Sequence, residues 1–426
     1  MIALAIAGLV LMVLLGAPIF AVIAAAAMLG FAHEGTALTV LGIDLYQLTD
    51  SPVLLALPLF AFSGYVLGES RTSDRLVRLA QASVGWLPSG LAMVAFTICA
   101  FFTAFTGASG VTIVALGALL YPALKQAGYR DKFALGLVTT SGSLGLLLPP
   151  SLPLILYAVI AQQLPGGSAV TFQEVFKAGL LPALLMVVAL SLFGYWNTRK
   201  YPVPTRPFDW PAVKAALWEA KWELPLPVFV LAGIYGGYFA VSEAAAVTAL
   251  YVVIVEVFVY REVSLRRLPV VMREAMVMVG GVLMILGLAM AFTNWLVDAE
   301  VPTTLLNLVK AHVESKYVFL LLLNVFLLVL GMMLDIFSAI VIMVPLLLPL
   351  ALGYGINPIH FGIIFLANME IGYSMPPVGL NLSISSFRFR KPITELAVAA
   401  LPFNFILLLA VLLITYVPWL SLAFAK

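Results

Sequence analysis

Ten long apolar stretches, separated by short polar or charged connections, make up most of the 426-residue chain. They cover residues 2–32, 53–69, 89–124, 133–162, 174–198, 225–260, 274–297, 317–352, 359–387 and 393–422. A helix that spans a membrane needs about 20 apolar residues, so the pattern predicts on the order of ten to thirteen membrane segments. Several stretches are longer than one span and contain internal Gly, Pro or polar residues, where we expect helices to break. The pattern therefore indicates an all-α polytopic membrane protein without a large aqueous domain.

The composition supports this fold class and excludes several functions. Hydrophobic residues make up 63% of the chain and charged residues 10%, whereas soluble domains carry about 25% charged residues. The net charge of +2 is too small for a nucleic-acid-binding protein. The single cysteine, Cys99, excludes a disulfide framework, and His33, His312 and His360 are expected in solvated connections. Because no GxxxxGK[ST] phosphate loop is present, we expect an energy source other than ATP hydrolysis by that route.

The distribution of basic residues predicts the topology, because cytoplasmic connections are enriched in Lys and Arg. Both ends of the stretch 89–124 are basic, whereas the ends of the stretch 317–352 are mixed or uncharged. We therefore expect the first stretch to enter and leave on the cytoplasmic side, the second to do so on the outer side, and the N-terminus to be cytoplasmic. The resulting assignment places 18 of the 22 basic residues inside and leaves Lys177, Lys310, Lys316 and Lys426 outside. The inside set is Arg71, Arg75, Arg78, Lys125, Arg130, Lys132, Arg199, Lys200, Arg206, Lys214, Lys221, Arg261, Arg266, Arg267, Arg273, Arg388, Arg390 and Lys391.

The connection 208–223 mixes tryptophans with charged residues. This composition is typical of an amphipathic helix that lies in the membrane interface. An ordinary loop with interfacial tryptophans explains the pattern equally well. On either interpretation the segment separates two halves of the chain.

A shift of 227 residues aligns the two halves without a gap. The matched punctuating residues are Pro122 with Pro349, Gly128 with Gly355, Gly145 with Gly372, Pro149 with Pro376, and Pro150 with Pro377. Since the matched hairpins open to opposite sides, the alignment predicts inverted repeats, each with a re-entrant hairpin and a broken helix. The alternative is proline kinks in two unrelated helices.

The two Pro-Pro pairs predict the chemistry of the breaks. Proline has no N–H, so the carbonyl four residues earlier loses its helical donor. The affected carbonyls belong to Gly145 and Leu146 in the first repeat and to Gly372 and Tyr373 in the second. Such a break persists at membrane depth only where it lines a cavity or binds an ion, and freed carbonyls suit a hard cation such as sodium.

The hairpin tips contribute further polar groups. The first tip, FFTAFTGASG (101–110), carries hydroxyls and glycines, and the second, GMMLDIFS (331–338), carries Asp335. An acid at membrane depth is a candidate functional residue, although Asp335 is also suited to cap the following helix. For Glu370, the other acid near this depth, we expect a structural partner such as a backbone amide or another helix.

These segments, SLGLLLPPSLPLILY (143–157), NMEIGYSMPPVGLNLS (368–383) and IYGGYFAVSEAAAV (234–247), resemble the large membrane subunit of TRAP transporters, the DctM-like family. The resemblance implies an elevator-type importer of the bacterial inner membrane, driven by sodium ions. Its implied substrate is an organic anion such as sialic acid, a C4-dicarboxylate or a related carboxylate. The implied partners are a periplasmic substrate-binding protein and a small four-helix membrane subunit on a separate polypeptide.

The resemblance also implies sites and domains. One sodium site uses carbonyls of Gly331, Gly372, Met375 and Val378, and the repeat symmetry places a second at Ala104, Gly145, Leu148 and Ser151. Substrate lies near Ser109, Ser151 and Asp335. Many relatives have Thr at the position of Met375, where this chain can offer only a backbone carbonyl. The transport domain comprises 89–162 and 317–387, and the scaffold comprises 1–88, 163–316 and 388–426.

Two other functions are compatible with parts of the sequence. A stand-alone sodium- or proton-coupled carboxylate transporter has the same broken helices but needs no binding protein. An intramembrane enzyme could use Asp335 and Glu370 as its acids, but the GxGD pattern of intramembrane aspartyl proteases is missing. No arginine lies at membrane depth to bind a carboxylate in a bidentate manner, so an anion has to be held by hydroxyls, amides and helix N-termini.

Overall fold

A computed structural model describes residues 2–49, 52–87, 89–167, 170–204 and 207–425. Arg206 and Lys426, which enter the charge assignment above, lie outside these residues. All regular elements of the described part are helical, as the apolar pattern predicts.

The N-terminal segment contains five helices. They are α1 (Ile2–Leu14), α2 (Ile19–Glu34), α3 (Thr39–Thr49), α4 (Ala56–Glu69) and α5 (Thr72–Val84). The first apolar stretch is divided between α1 and α2 because Gly16 adopts a φ of +77°, a conformation that glycine tolerates best.

The first repeat forms a hairpin followed by a broken helix. Its first arm is α6 (Gly90–Thr106), and its second arm runs through α7 (Ser109–Thr112), a π-helical turn (Ile113–Gly117) and α8 (Ala118–Gln126). The broken helix consists of α9 (Asp131–Thr140) and α10 (Leu152–Gln163), joined by a 3₁₀ turn and an irregular segment that contains Pro149 and Pro150.

The central segment carries six helices. They are α11 (Phe172–Lys200), α12 (Trp210–Glu219), α13 (Pro225–Tyr235), α14 (Val241–Val253), which continues into a π-helix (Ile254–Val259), α15 (Leu268–Asp298) and α16 (Val301–His312). The helix α12 confirms the helical interpretation of the tryptophan-rich connection. The apolar stretch 225–260 is two helices, since the chain turns at Gly236 and Gly237.

The second repeat has the same order of elements as the first. The arms α17 (Lys316–Met333) and α18 (Ile336–Gly353) form the hairpin, and α19 (Pro358–Gly372) and α20 (Leu380–Phe389) form the broken helix. The chain then continues through α21 (Ile393–Tyr416) and α22 (Trp419–Leu422).

Six of the described helices are long and apolar enough to cross a membrane: α11, α14 with its π-helical continuation, α15, α17, α18 and α21. Only 44–56% of each apolar window is buried inside the protein. Large apolar side chains such as Val277 and Phe405 therefore remain exposed, as expected when lipid covers the outer face.

The repeats pack against each other through α10 of the first repeat, which lies on α18 and α19 of the second. Within the second repeat α17 packs along α19, and α9 of the first repeat packs along the C-terminal helix α21. On the other side, α4 packs on α14 and α15, and α2 packs on α15. The two breaks are consequently enclosed by helices, so that residues 133–161 and 359–374 are almost all buried.

A buried ion cluster connects α5 to the central segment. Arg75, only 5% exposed, forms ion pairs with Glu223, with Glu256 at 3.3 Å and with Glu262 at 2.5 Å. Its guanidinium also lies 3.9 Å from the ring centre of Tyr260. One cation thus holds three acids from different parts of the chain.

The expectation for one histidine is wrong. His360 lies in α19 and is buried, with Nδ1 2.6 Å from the Ser421 hydroxyl and Nε2 3.2 Å from the Thr415 carbonyl. The residue follows Pro358 at the helix start, which reads as a connection, but the C-terminal helices cover it.

Candidate functional site

The first break packs directly on the first arm of its hairpin. A Cβ atom at Gly145 would lie 1.9 Å from the Ala100 carbonyl oxygen and 2.5 Å from the Ala104 amide nitrogen. Both distances are far below van der Waals contact, so only glycine permits this approach. The break and the end of α6 are therefore in backbone-to-backbone contact.

The second break makes the equivalent contact. A Cβ atom at Gly372 would lie 2.6 Å from both Cα and C of Gly331, at the end of α17. Gly372 and Gly331 are the residues that the 227-residue shift matches with Gly145 and Ala104. The repeat predicted from sequence thus recurs in the packing, and two of the four residues predicted for each sodium site are in contact.

The carbonyls released by the prolines have protein donors. Gly145 and Gly372 accept hydrogen bonds at 3.0 Å from the amides of Leu148 and Met375. The Leu146 carbonyl accepts from the Ser151 hydroxyl at 2.6 Å, and the Tyr373 carbonyl accepts from the main-chain amide of Asn381 at 2.9 Å. The expectation that an ion or cavity must satisfy these four oxygens is therefore wrong, because short turns, the Ser151 hydroxyl and the main-chain amide of Asn381 satisfy them.

Among the predicted sodium ligands, some carbonyls other than these four lack a hydrogen-bond donor in the described part of the chain. Within the described part of the chain, the carbonyls of Ala104, Gly331 and Met375 accept no hydrogen bond. Ala104 and Gly331 are symmetry equivalents at the ends of the first hairpin arms. An oxygen without a donor at a buried helix end is suited to a cation.

The remaining predicted ligands already accept one hydrogen bond each. Leu148 accepts from the Ser151 amide, Ser151 from the Ile155 amide, and Val378 from the Ser383 hydroxyl. A carbonyl oxygen has two lone pairs, so each retains one position. Among the described residues there is no group of three or more His, Cys, Asp or Glu that could hold a metal ion.

At the second hairpin tip, Asp335 caps α18. Its carboxylate accepts from the Ser338 amide at 3.0 Å and from the Ser338 hydroxyl at 2.5 Å. The next amide, that of Ile336, donates to the Tyr373 hydroxyl at the second break. Asp335 is half-buried, so capping leaves part of the carboxylate accessible.

At the first tip, threonines tie the hairpin to its break. The Thr103 hydroxyl lies 2.7 Å from that of Thr112 on the second arm and donates to the Gly142 carbonyl at 2.9 Å. Ser109 is buried at the start of α7. Among the described residues no hydrogen bond joins Ser109, Ser151 and Asp335 to one another, so their grouping around a substrate stays a prediction.

A polar contact between the two breaks escaped the sequence reasoning. The Ser143 hydroxyl lies 3.1 Å from the Glu370 carbonyl oxygen, and these residues are 227 positions apart. The side-chain amide of Asn381 donates to the same hydroxyl at 3.2 Å. Residues that are symmetry equivalents and touch each other lie on the pseudo-two-fold axis, so this contact marks the centre of the repeat. The 227-residue shift in the sequence pairs residue 143 with residue 370 and was the signal that could have predicted this contact.

Several buried polar groups on the two broken helices lack hydrogen-bond partners. In the described part of the chain, the side-chain oxygens of Thr139, Glu370, Asn381 and Ser385 are buried and make no hydrogen bond. The expectation of a structural partner for Glu370 is therefore wrong: both carboxyl oxygens are unpartnered. Unpaired buried oxygens are costly, which makes this region a candidate for binding an ion or a polar molecule.

Known proteins support the same fold and family. The chain is 37% identical over 378 residues to the isethionate TRAP transporter permease protein DctMQ of Oleidesulfovibrio alaskensis, covering 88% of this chain and 58% of that protein. It is also 37% identical to the C4-dicarboxylate TRAP transporter large permease protein DctM of Rhodobacter capsulatus, covering 87% and 86%, and 28% identical to the ectoine permease TeaC of Halomonas elongata, covering 96% of both.

A solved structure shares the architecture. The YdaH transporter of Alcanivorax borkumensis superposes with a TM-score of 0.67 over 91% of this chain and 88% of that one, at 17% identity. This likeness concerns the fold alone and agrees with a polytopic helical membrane protein.

The family follows from a match that covers nearly all of the chain. Residues 5–420 match the model of the DctM component of the tripartite ATP-independent periplasmic transporters. With the helical hairpins, the glycine contacts at both breaks and the relatives named above, the chain belongs to the DctM family of TRAP transporter large permease subunits, and it is a transport protein rather than an enzyme.

Proposed function

We propose that this chain imports an organic anion across the bacterial inner membrane, driven by a sodium gradient. The observation that supports coupling to a cation is the pair of equivalent contacts between break and hairpin. Each brings a break glycine against the backbone of a residue, Ala104 or Gly331, whose carbonyl accepts no hydrogen bond among the described residues. Carbonyls presented by discontinuous helices are the ligands that transporters use for sodium.

In this proposal the two sodium sites use the predicted carbonyl sets. Gly331, Gly372, Met375 and Val378 form one, and Ala104, Gly145, Leu148 and Ser151 form the other. The Met375 carbonyl accepts no hydrogen bond in the described part of the chain. Loss of the Thr found in many relatives is therefore compatible with a backbone ligand at this position.

The substrate binds between the hairpin tips, near Ser109, Ser151 and Asp335. Hydroxyls, the amide of Asn381 and the N-terminal ends of α10 and α20 offer hydrogen-bond donors and positive dipole ends to a carboxylate. Sialic acid, C4-dicarboxylates and related carboxylates are the proposed class. The named relatives transport isethionate, C4-dicarboxylate or ectoine according to their names.

The transport domain, 89–162 with 317–387, moves as an elevator against a scaffold of 1–88, 163–316 and 388–426. The N-terminus is cytoplasmic. A small four-helix membrane subunit completes the scaffold, and a periplasmic binding protein delivers the substrate. The wide apolar surfaces of the described helices, including exposed Val277 and Leu184, leave room for such a membrane partner.

Reconstitution tests the proposal directly. The chain, its small subunit and its binding protein are placed in liposomes, and uptake of a labelled substrate is followed with and without an inward sodium gradient. Uptake is expected only with the gradient and the binding protein. Equal uptake without sodium contradicts the coupling, and uptake by this chain alone favours the stand-alone transporter.

A further inference from the structure

An apolar cavity lies beside the first hairpin, next to the helices on which the hairpin packs. It has a volume of about 340 Å³ and is lined by α4, α5, α6, and the start of α13. Leu76 and Leu79 of α5 face Ile98 and Phe101 of α6 across it, and Leu226 closes it from α13. The cavity therefore lies between a proposed moving element, α6, and proposed scaffold helices.

Water is a poor occupant of this cavity. A buried water needs two to four polar partners. The hydroxyls on the lining are already engaged: Ser83 donates to the Leu79 carbonyl at 2.5 Å, Thr97 to the Met93 carbonyl at 3.1 Å, and Thr72 to Glu256 at 3.1 Å. The Glu223 carboxylate is taken by Arg75 and by the Tyr260 hydroxyl.

The shape of the cavity favours a flexible occupant. A hydrocarbon chain adapts to a space lined by four helices, whereas an α-helix with its side chains is a rigid cylinder about 10–12 Å across.

The mouth of the cavity opens to the lipid near the membrane interface. Phe101, Leu224 and Val228 line it and are 43%, 38% and 68% exposed. Immediately before Leu224 in the chain, Trp218 and Trp222 are exposed as well. Exposed tryptophans are typical of the level of the lipid headgroups, so an acyl chain that starts at this level reaches the cavity within the same leaflet.

We propose that one acyl chain of a phospholipid occupies the cavity between α5, α6 and α13. The lipid fills the space between the first hairpin and its surroundings with a fluid apolar spacer. A chain of this kind lets α6 shift against α5 and α13 without opening a void. The site lies outside the regions proposed for sodium and substrate. Lipid binding does not depend on either, whereas the role as a spacer rests on the proposed movement of the first hairpin.

Photo-crosslinking in nanodiscs tests the site. The purified protein is embedded in phosphatidylethanolamine that carries a diazirine in the middle of one acyl chain, irradiated, digested and mapped by mass spectrometry. Adducts are expected on α5 and α6 peptides that line the cavity, in addition to general labelling of lipid-facing helices such as α21, whose Phe405 is 62% exposed.

A matched pair of substitutions identifies the cavity. Ala80 is 1% exposed and lines the cavity, whereas Ala82, two residues away on α5, lines a different groove. Ala80→Phe is expected to lower the α6 adducts at least threefold relative to α21, and Ala82→Phe to leave this ratio unchanged. Where Ala80→Phe does not yield folded protein, Ser83→Leu serves as the second filling variant. Equal α6 labelling in filled and control variants, or labelled α21 without α6 adducts in the unmodified protein, overturns the proposal.

Discussion

Replacing Gly372 with alanine tests the second break with a change of one methyl group. The added Cβ would lie 2.6 Å from two backbone atoms of Gly331. An ordinary contact begins near 3.4 Å, so the break and the end of α17 must separate by about 0.8 Å. Neither partner is a flexible side chain, and the strain therefore falls on the backbone.

The separation weakens any ion held by both segments. Overpacking of a tight contact costs about 1–3 kcal/mol. If this cost falls on the sodium-bound state, it weakens sodium binding by roughly 5- to 150-fold. The carbonyls affected are those of Gly331 and Met375, which accept no hydrogen bond among the described residues.

The assay is the sodium concentration that gives half-maximal uptake in proteoliposomes containing the small subunit and the binding protein. Gly280→Ala is the matched control, since its Cβ would meet nothing within 4 Å; it should leave this concentration unchanged. An unaltered sodium dependence in folded Gly372→Ala would refute the placement of the ion at this contact.

Three further predictions address other parts of the chain. Arg75→Met leaves three acids without their cation and should lower the free energy of unfolding by about 3–5 kcal/mol, measured by denaturant or thermal unfolding. The control is Arg78→Met, because the ion pair of Arg78 with Glu219 is exposed; it should lower the free energy of unfolding by no more than about 1 kcal/mol. Asp335→Asn retains a capping oxygen, so unfolding should be unchanged while uptake falls at least tenfold; full uptake would leave capping as the role of Asp335. Lys125, which donates to Asp131 at 2.9 Å, holds the pKa of that carboxyl below its usual range. The pair therefore stabilises the protein above the usual carboxyl pKa of about 3.9 and loses this effect as the pH falls through the lowered value; Asp131→Asn should remove about 0.2–1 kcal/mol of the acid-side change in a pH series of unfolding curves.

The repeat could be predicted from sequence because proline breaks a helix by lacking an N–H and glycine permits backbone conformations and close contacts that a side chain would prevent. The match of Gly145 with Gly372 predicted two helix breaks, and both occur where expected. What the carbonyls do there could not be predicted. Their donors, such as the Ser151 hydroxyl and the Asn381 amide, depend on how the chain returns after the break, which local sequence does not specify.

The burial of single polar residues was the other feature that could not be predicted from sequence. The sequence analysis placed His360 in a solvated connection and expected a structural partner for Glu370. Their surroundings come from remote elements: Thr415 and Ser421 enclose His360, and residue 143 meets residue 370 through the repeat contact. Contacts over such sequence distances leave no periodic trace in the chain.

The contact between Ser143 and Glu370 bears on the history of the duplication. In a symmetric dimer a residue on the two-fold axis meets its own copy, so both positions carry the same amino acid. Here the two positions carry different residues, and a serine hydroxyl meets a main-chain carbonyl 227 residues away. Fusion into one polypeptide releases the axis from that identity requirement. Each half can then acquire its own polar group at the centre, and the second half carries the acid Glu370 where the first half carries Ser143.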